Sequence, residues 1–224
     1  VTGDPTRELI RELASDLAPV RPLPRLRFLA AVVLWSWLAI GAAGVALQGL
    51  APTFWRSLAA PLSSGGIFAG LLGAGLGGAL AALALAIPGR ERVARVGLAL
   101  GGGGAALAAG IACALLARSS LAAWRAPAAG DLPCLATALA IGLVPALALG
   151  WLAGRAAPHR PLTIALAAAA GAAALGGSVA QATCAWGEAM HLLLGHALVP
   201  AVGALALTLP LLVAIRRSER EHAR

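Results

Sequence analysis

This chain carries little charge. Of its 224 residues only 12% are Asp, Glu, Lys or Arg, about half the share of roughly 25% in an ordinary soluble domain. Water is therefore a poor solvent for most of its surface, and a length that would otherwise allow one or two soluble domains is overridden by hydropathy. Lysine is missing: all 17 basic side chains are arginine. With the heavy use of alanine and glycine, that reads as a GC-rich genome rather than a functional choice. Aromatics amount to 4% and do not interleave with a basic groove. The net charge of +8 thus points to charged loops and not to a nucleic-acid surface; no direct nucleic-acid binding is expected. The three cysteines, Cys113, Cys134 and Cys184, make no C-x-x-C pair, which excludes a zinc ribbon or a thioredoxin-type motif. The polar lead before the first apolar run does not fit a signal peptide. Gly101 to Gly104 is no phosphate loop, because no Lys-Ser or Lys-Thr follows it.

Long apolar runs are what is there. A helix needs about 20 mainly apolar residues to cross a bilayer, and six runs qualify, approximately 28–48, 65–87, 96–117, 134–154, 162–183 and 190–215. The first five contain no acidic, basic or histidine side chain, and the sixth contains only His191 and His196 near its start. The expected fold is all-α, a polytopic membrane protein with six transmembrane helices. Its parts are a cytoplasmic N-terminal segment over 1–27 with a short amphipathic helix at about 6–17, a membrane domain over 28–215 and a basic cytoplasmic tail over 216–224.

Arginine placement sets the orientation. Arg7, Arg11, Arg21, Arg25, Arg27, Arg90, Arg92, Arg95, Arg155, Arg160, Arg216, Arg217, Arg220 and Arg224 fall on one side of such a bundle, and only Arg56, Arg118 and Arg125 on the other. Basic residues concentrate on the cytoplasmic side, so both termini are expected inside a bacterial inner membrane. The loop tryptophans Trp55, Trp124 and Trp186 then lie at the outer interface, and Trp151 near the inner one. Glycines four apart, such as Gly66 and Gly70, Gly73 and Gly77, Gly97 and Gly101, let helix backbones approach closely. Pro145, Pro200 and Pro210 are expected to kink the fourth and sixth spans, as membrane helices tolerate.

The N-terminal segment has another character. Asp4-Pro5 reads as an N-cap followed by proline at the first helical position. Leu9, Leu13 and Leu17, with Ile10 beside them, form an apolar stripe, while Arg7, Glu8, Arg11, Glu12 and Asp16 occupy the remaining positions. A helix of three turns is marginal alone in water, so the stripe needs a partner. Its nearly balanced charge suits a protein better than an anionic membrane surface, which calls for a strongly basic face.

Chemistry outside the cytoplasm rests on few residues. Cys134 and Cys184 share the outer side, where thiols can pair; Cys113 lies within the third span and is expected to pack as a small core residue. If the segment from Cys184 is helical, Cys184, Glu188 and His191 stand on one face with His196 a turn beyond. Those donors suit a borderline metal such as zinc, but they equally suit a redox-sensitive pair or interfacial polar residues that bond neighbouring helices. No cofactor is indicated, and the sequence leaves open which metal, if any, these groups take. No Ser-His or paired-carboxylate pattern stands near Asp131 and Glu188, and the middle spans offer almost none of the midplane polar groups a transporter uses. An enzyme is therefore not expected; a small membrane enzyme or transporter using the outer cysteines and histidines is the alternative.

The chain resembles the NrsF-like family, negative regulators of the extracytoplasmic-function sigma factor F. The likeness begins at Leu9-Ile10-x-x-Leu13-Ala14-x-Asp16-Leu17-x-x-Val20. It continues through Cys134, Gly142 and Pro145 to Arg155, Pro158 and Pro161, and ends at Cys184, His191, His196, Pro200 and the basic tail. The chain departs from the family at Ala185, where proline often follows the second cysteine, and at Gly195, where tryptophan often precedes the last histidine. The resemblance implies a six-span anti-sigma factor in the lipid bilayer. Leu9, Ile10, Leu13, Asp16 and Leu17 would hold an extracytoplasmic-function sigma factor. Cys134, Cys184, Glu188, His191 and His196 would sense the signal that releases it.

Overall fold

The computed structural model describes residues 5–15, 25–60, 62–120, 131–156 and 160–222, with side chains described for 6–15 and up to 218. Every regular element among them is helical: α1 (Pro5–Ser15), α2 (Leu26–Gln48), α3 (Phe54–Leu58), α4 (Ser64–Leu85), α5 (Glu91–Ala117), α6 (Asp131–Gly154), α7 (Pro161–Thr183), α8 (Ala189–His191) and α9 (Val199–His222), with a π-helical turn at Leu192–Ala197 between α8 and α9. Helices α2, α4, α5, α6 and α7, and the run Ala189–Ser218, are long and apolar enough to cross a membrane. The chain is an all-α, multi-pass membrane protein.

Helix α7 forms the axis. About 78% of its most apolar stretch is buried, against 67% for α4 and no more than 28% for the other four spans. Its sequence explains this position: from Ala165 to Ala182 it is mostly alanine and glycine, so α2, α4, α6 and α9 can all approach its backbone. In lipid there is no hydrophobic gain from bringing helices together, and close packing has to hold the bundle. Gly78 meets Gly171 so closely that an added Cβ on Gly78 would sit 2.7 Å from the Gly171 Cα. On the other side of α4, a Cβ on Gly97 of α5 would fall 2.6 Å from the Ala81 nitrogen. The expected close approach through small residues is therefore present. A cross-helix hydrogen bond adds to it: Trp37 Nε1 of α2 donates to the Leu175 carbonyl of α7 at 2.9 Å.

Paired contacts give the helix directions. Gly78 against Gly171 and Gly75 against Leu175 make α4 and α7 antiparallel; Gly150 against Leu211 and Gly154 against Ile215 make α6 and α9 parallel. The starts of α6 and α9 and the end of α7 consequently meet at one end of the bundle. The start of α2 and the end of α9 lie at the other.

Two expectations need correction. Cys113, expected in the core, is exposed, because α5 packs chiefly on α4 and turns its remaining surface outward. Pro145 and Pro210 lie inside α6 and α9, but Pro200 is the second residue of α9, directly after the π turn. There a missing N–H costs little.

Candidate metal centre

The first turn of α6 starts at Asp131 and includes Cys134 three residues on, a spacing that puts carboxylate and thiol on one helix face. Helix α7 ends at Thr183, and Cys184 follows in extended backbone (φ −81°, ψ 123°). Residues 184–188 are not helical, so the helical face expected for Cys184, Glu188 and His191 does not form. A helix continued from α7 would run on out of the membrane, and the chain needs these residues to reverse into α9. Glu188 caps α8 without a side-chain bond, is exposed and takes no part in the cluster.

Cys184 nevertheless reaches His191, because the reversed loop brings it back. Cys184 Sγ lies 3.2 Å from His191 Nε2 and 3.6 Å from Cys134 Sγ, and His191 Nε2 lies 3.2 Å from His196 Nε2. One donor atom from each of Cys134, Cys184, His191 and His196 lies within 4.8 Å of the other three. Both cysteines are free thiols. The two histidines are fully buried and the two cysteines half-buried. The Trp186 ring sits 6.0 Å from that of His191 on the loop side.

The π turn brings the histidines together. Residues five apart on an α-helix stand about 140° apart around its axis, which would separate His191 from His196. The i→i+5 bond of a π turn stacks such residues instead. Leu198 N–H donates to the Leu193 carbonyl at 3.0 Å in that pattern, and the imidazole centroids come to 5.0 Å. Pro200 supplies the cause: it has no N–H for the His196 carbonyl, and its ring crowds that carbonyl four residues back. Gly195 supplies the room, since a Cβ there would stand 3.2 Å from His191 Cε1.

Asp131 completes the arrangement. Its Oδ1 lies 2.7 Å from His191 Nδ1, and the carboxylate is buried. A carboxylate accepting Nδ1–H fixes the ring's orientation and leaves the Nε2 lone pair facing the cluster. In the sequence Asp131 stands out only as an acid without a role. The signal that could have found it is the D-x-x-C spacing at the start of a span. The Cys184 thiol is held well below its ordinary value, chiefly because Cys134 donates a hydrogen bond to it and also by His196, against the opposing effect of burial. Two imidazoles and two thiols of this kind can ligate a soft or borderline metal, or the thiols can pair; the two states compete for the same sulfurs.

None of the described docking residues belongs to this cluster. Leu9, Ile10 and Leu13 are on α1 and exposed; Asp16 and Leu17 lie outside the described residues. The fold and the cluster define a six-span helical bundle with a thiol–imidazole site at the end away from the start of α2 and the end of α9. Comparison with protein-family models, curated proteins and solved structures finds no match for the chain.

Proposed function

We propose that this protein is a sensor that works from one side of a membrane to the other. More particularly, it is an anti-sigma factor of the NrsF-like kind. It sits in a bacterial inner membrane with both termini in the cytoplasm, holds an extracytoplasmic-function sigma factor on α1, and releases it when the outer cluster changes state. The observation that carries this reading is the division of labour along one bundle. Four thiol and imidazole groups converge at one end, and an amphipathic helix with an exposed Leu9, Ile10 and Leu13 stripe belongs to the segment leading into the other. An enzyme or carrier has no use for such a stripe, and four donors closing on one point suit a sensor better than a substrate site that must stay open. The resemblance across Leu9 to Val20 and from Cys134 to Pro200 supports the same reading.

The experiment is a pull-down of the extracytoplasmic-function sigma factors of the same organism with the full-length protein and its Leu13→Glu variant. Burying a leucine contributes about 1.5–3 kcal/mol, so placing a carboxylate there weakens capture at least about tenfold, with membrane insertion unchanged. Undiminished capture by the inserted variant removes α1 as the docking element.

A further inference from the structure

We infer that Cys134, Cys184, His191 and His196 form a closed four-ligand site for a d10 metal ion, with zinc as the reference case, and that Asp131 is the positioning residue that sets its affinity. This deepens the sensor reading by naming what the outer site takes. It rests on that reading only for the consequence to the sigma factor; ion binding is measured without one.

Geometry carries the inference first. Ion–sulfur bonds near 2.3 Å and ion–nitrogen bonds near 2.0–2.1 Å make the edges of a tetrahedron about 3.8 Å for S···S, about 3.6 Å for S···N and about 3.3 Å for N···N. The corresponding separations here are 3.6 Å for Cys134–Cys184, 3.2 Å for Cys184–His191 and 3.2 Å for His191–His196. Three edges are within a few tenths of an ångström of the tetrahedral values with the side chains as they stand. Two sulfurs and two imidazole nitrogens are the ligand set of structural zinc. They disfavour magnesium and calcium, which take oxygen ligands.

The surroundings carry it second. Histidines that ligate metals almost always give their other ring N–H to a carboxylate or carbonyl, and Asp131 does this for His191. His191 and His196 are fully buried, and Asp131 Oδ2 and His196 Nδ1 have no hydrogen-bond partner among the described residues. Gathering polar groups in such a place is costly unless their donors and acceptors are used, and a bound ion would use the facing sulfur and Nε2 lone pairs while Asp131 keeps its hydrogen bond from His191 Nδ1. One M²⁺ displaces one proton from each thiol, the imidazoles bind through Nε2 lone pairs and lose none, and the ion with its four ligands is electrically neutral. A π turn is rare and concentrates at functional sites, and here its effect is to aim both histidines at one point.

The test uses the full-length protein, reduced, in lipid nanodiscs, with Co²⁺ as the optical probe and Zn²⁺ as competitor. Wild type is expected to take up one Co²⁺ with a thiolate-to-cobalt charge-transfer band and the ligand-field bands of four-coordinate cobalt, and Zn²⁺ should displace it. Cys134→Ser should diminish the charge-transfer band, and His196→Ala should alter the ligand-field bands. Asp131→Asn should reach the wild-type spectrum at saturation but bind about 10–100-fold more weakly, with Asp131→Glu recovering part of the loss. A lesion that merely unfolds the site would change the spectrum as well. A second measurement needs no variant: one equivalent of Zn²⁺ should shield Cys134 and Cys184 from a membrane-permeant maleimide and leave the exposed Cys113 reactive. No charge-transfer band in wild type, no shielding by Zn²⁺, or wild-type affinity in Asp131→Asn overturns the inference. None of these outcomes bears on whether α1 captures a sigma factor.

Discussion

At one end of the bundle, side chains from α6, the turn after α7 and the approach to α9 close on a point, with both histidines cut off from solvent. The other end is open. Leu9, Ile10 and Leu13 of the segment leading into it are 56%, 60% and 63% exposed, and a cavity of about 580 Å³ lies between the α4–α5 and α6–α7 connections, lined in part by Glu91, Arg95 and Arg160. The difference separates two kinds of site. The first is organised in advance, so that a small ligand loses little on ordering it. The second offers apolar surface that gains its stability from whatever covers it. Between them stands α7, whose alanines and glycines hold four neighbours at backbone contact. Packed helices tend to move between discrete arrangements and do not bend continuously.

The comparison breaks most completely at the cysteines. Cys134→Ser and Cys184→Ser should each abolish the response of a sigma-dependent reporter to soft metal or thiol oxidant, and the double variant should be no worse than either single one, since residues acting as a unit are not additive. A full wild-type response in both single variants would reduce the two cysteines to packing residues. A smaller effect is expected where the ends are joined. Gly78→Leu pushes a side chain into Gly171, where even a Cβ would be 2.7 Å from the Cα. Overpacking of this kind costs about 1–3 kcal/mol, and backbone contact places this site at the upper end. The midpoint of thermal unfolding in detergent should fall; an unchanged midpoint would mean that α4 and α7 are not in contact there. The smallest effect belongs to Gly195→Ala, whose Cβ meets His191 Cε1 at 3.2 Å. The ring must give by a few tenths of an ångström, so Co²⁺ affinity should fall by less than the roughly tenfold lower bound for losing an outer-sphere partner. A larger loss would place the strain of the π turn itself at Gly195.

Much of this fold could be read from composition and spacing. Six runs of apolar residues became six helical spans, with starts within a few residues of the expected ones and the largest shift of a start at the third, which begins at Glu91 rather than near 96. Polar residues at a membrane helix end do not interrupt its backbone bonds, so hydropathy alone cannot find where such a helix starts. Pro5 does open α1, as its fixed φ suits a first turn. That Cys134, Cys184, His191 and His196 lie at one end of the bundle was also legible, because topology and depth are one-dimensional quantities. How they meet was not. Periodicity places Cys184, Glu188 and His191 on one helical face, whereas the chain must reverse there, and the reversal removes Glu188 and brings in Asp131 from a different helix. The π turn escaped for a related reason: it is a local response to Pro200 that changes the angle between His191 and His196 without changing any residue count. Cys113 faces outward because α5 has few neighbours, a property of the assembled bundle that no pattern within α5 encodes.

In the proposed sensor the closed end and the open end share one equilibrium. An input that binds both arrangements equally shifts nothing, and a coupling between sites is reciprocal and typically about 1–3 kcal/mol. The direct measurement is the affinity of the full-length protein in nanodiscs for the proposed sigma-factor partner, once with Zn²⁺ bound and once after removal of Zn²⁺ by a chelator under reducing conditions. The account predicts affinities that differ at least about tenfold, equivalent to about 1.4 kcal/mol, in wild type, and no difference in the Cys134→Ser, Cys184→Ser double variant. Equal affinities in the two wild-type states, with Zn²⁺ binding itself verified, would contradict it.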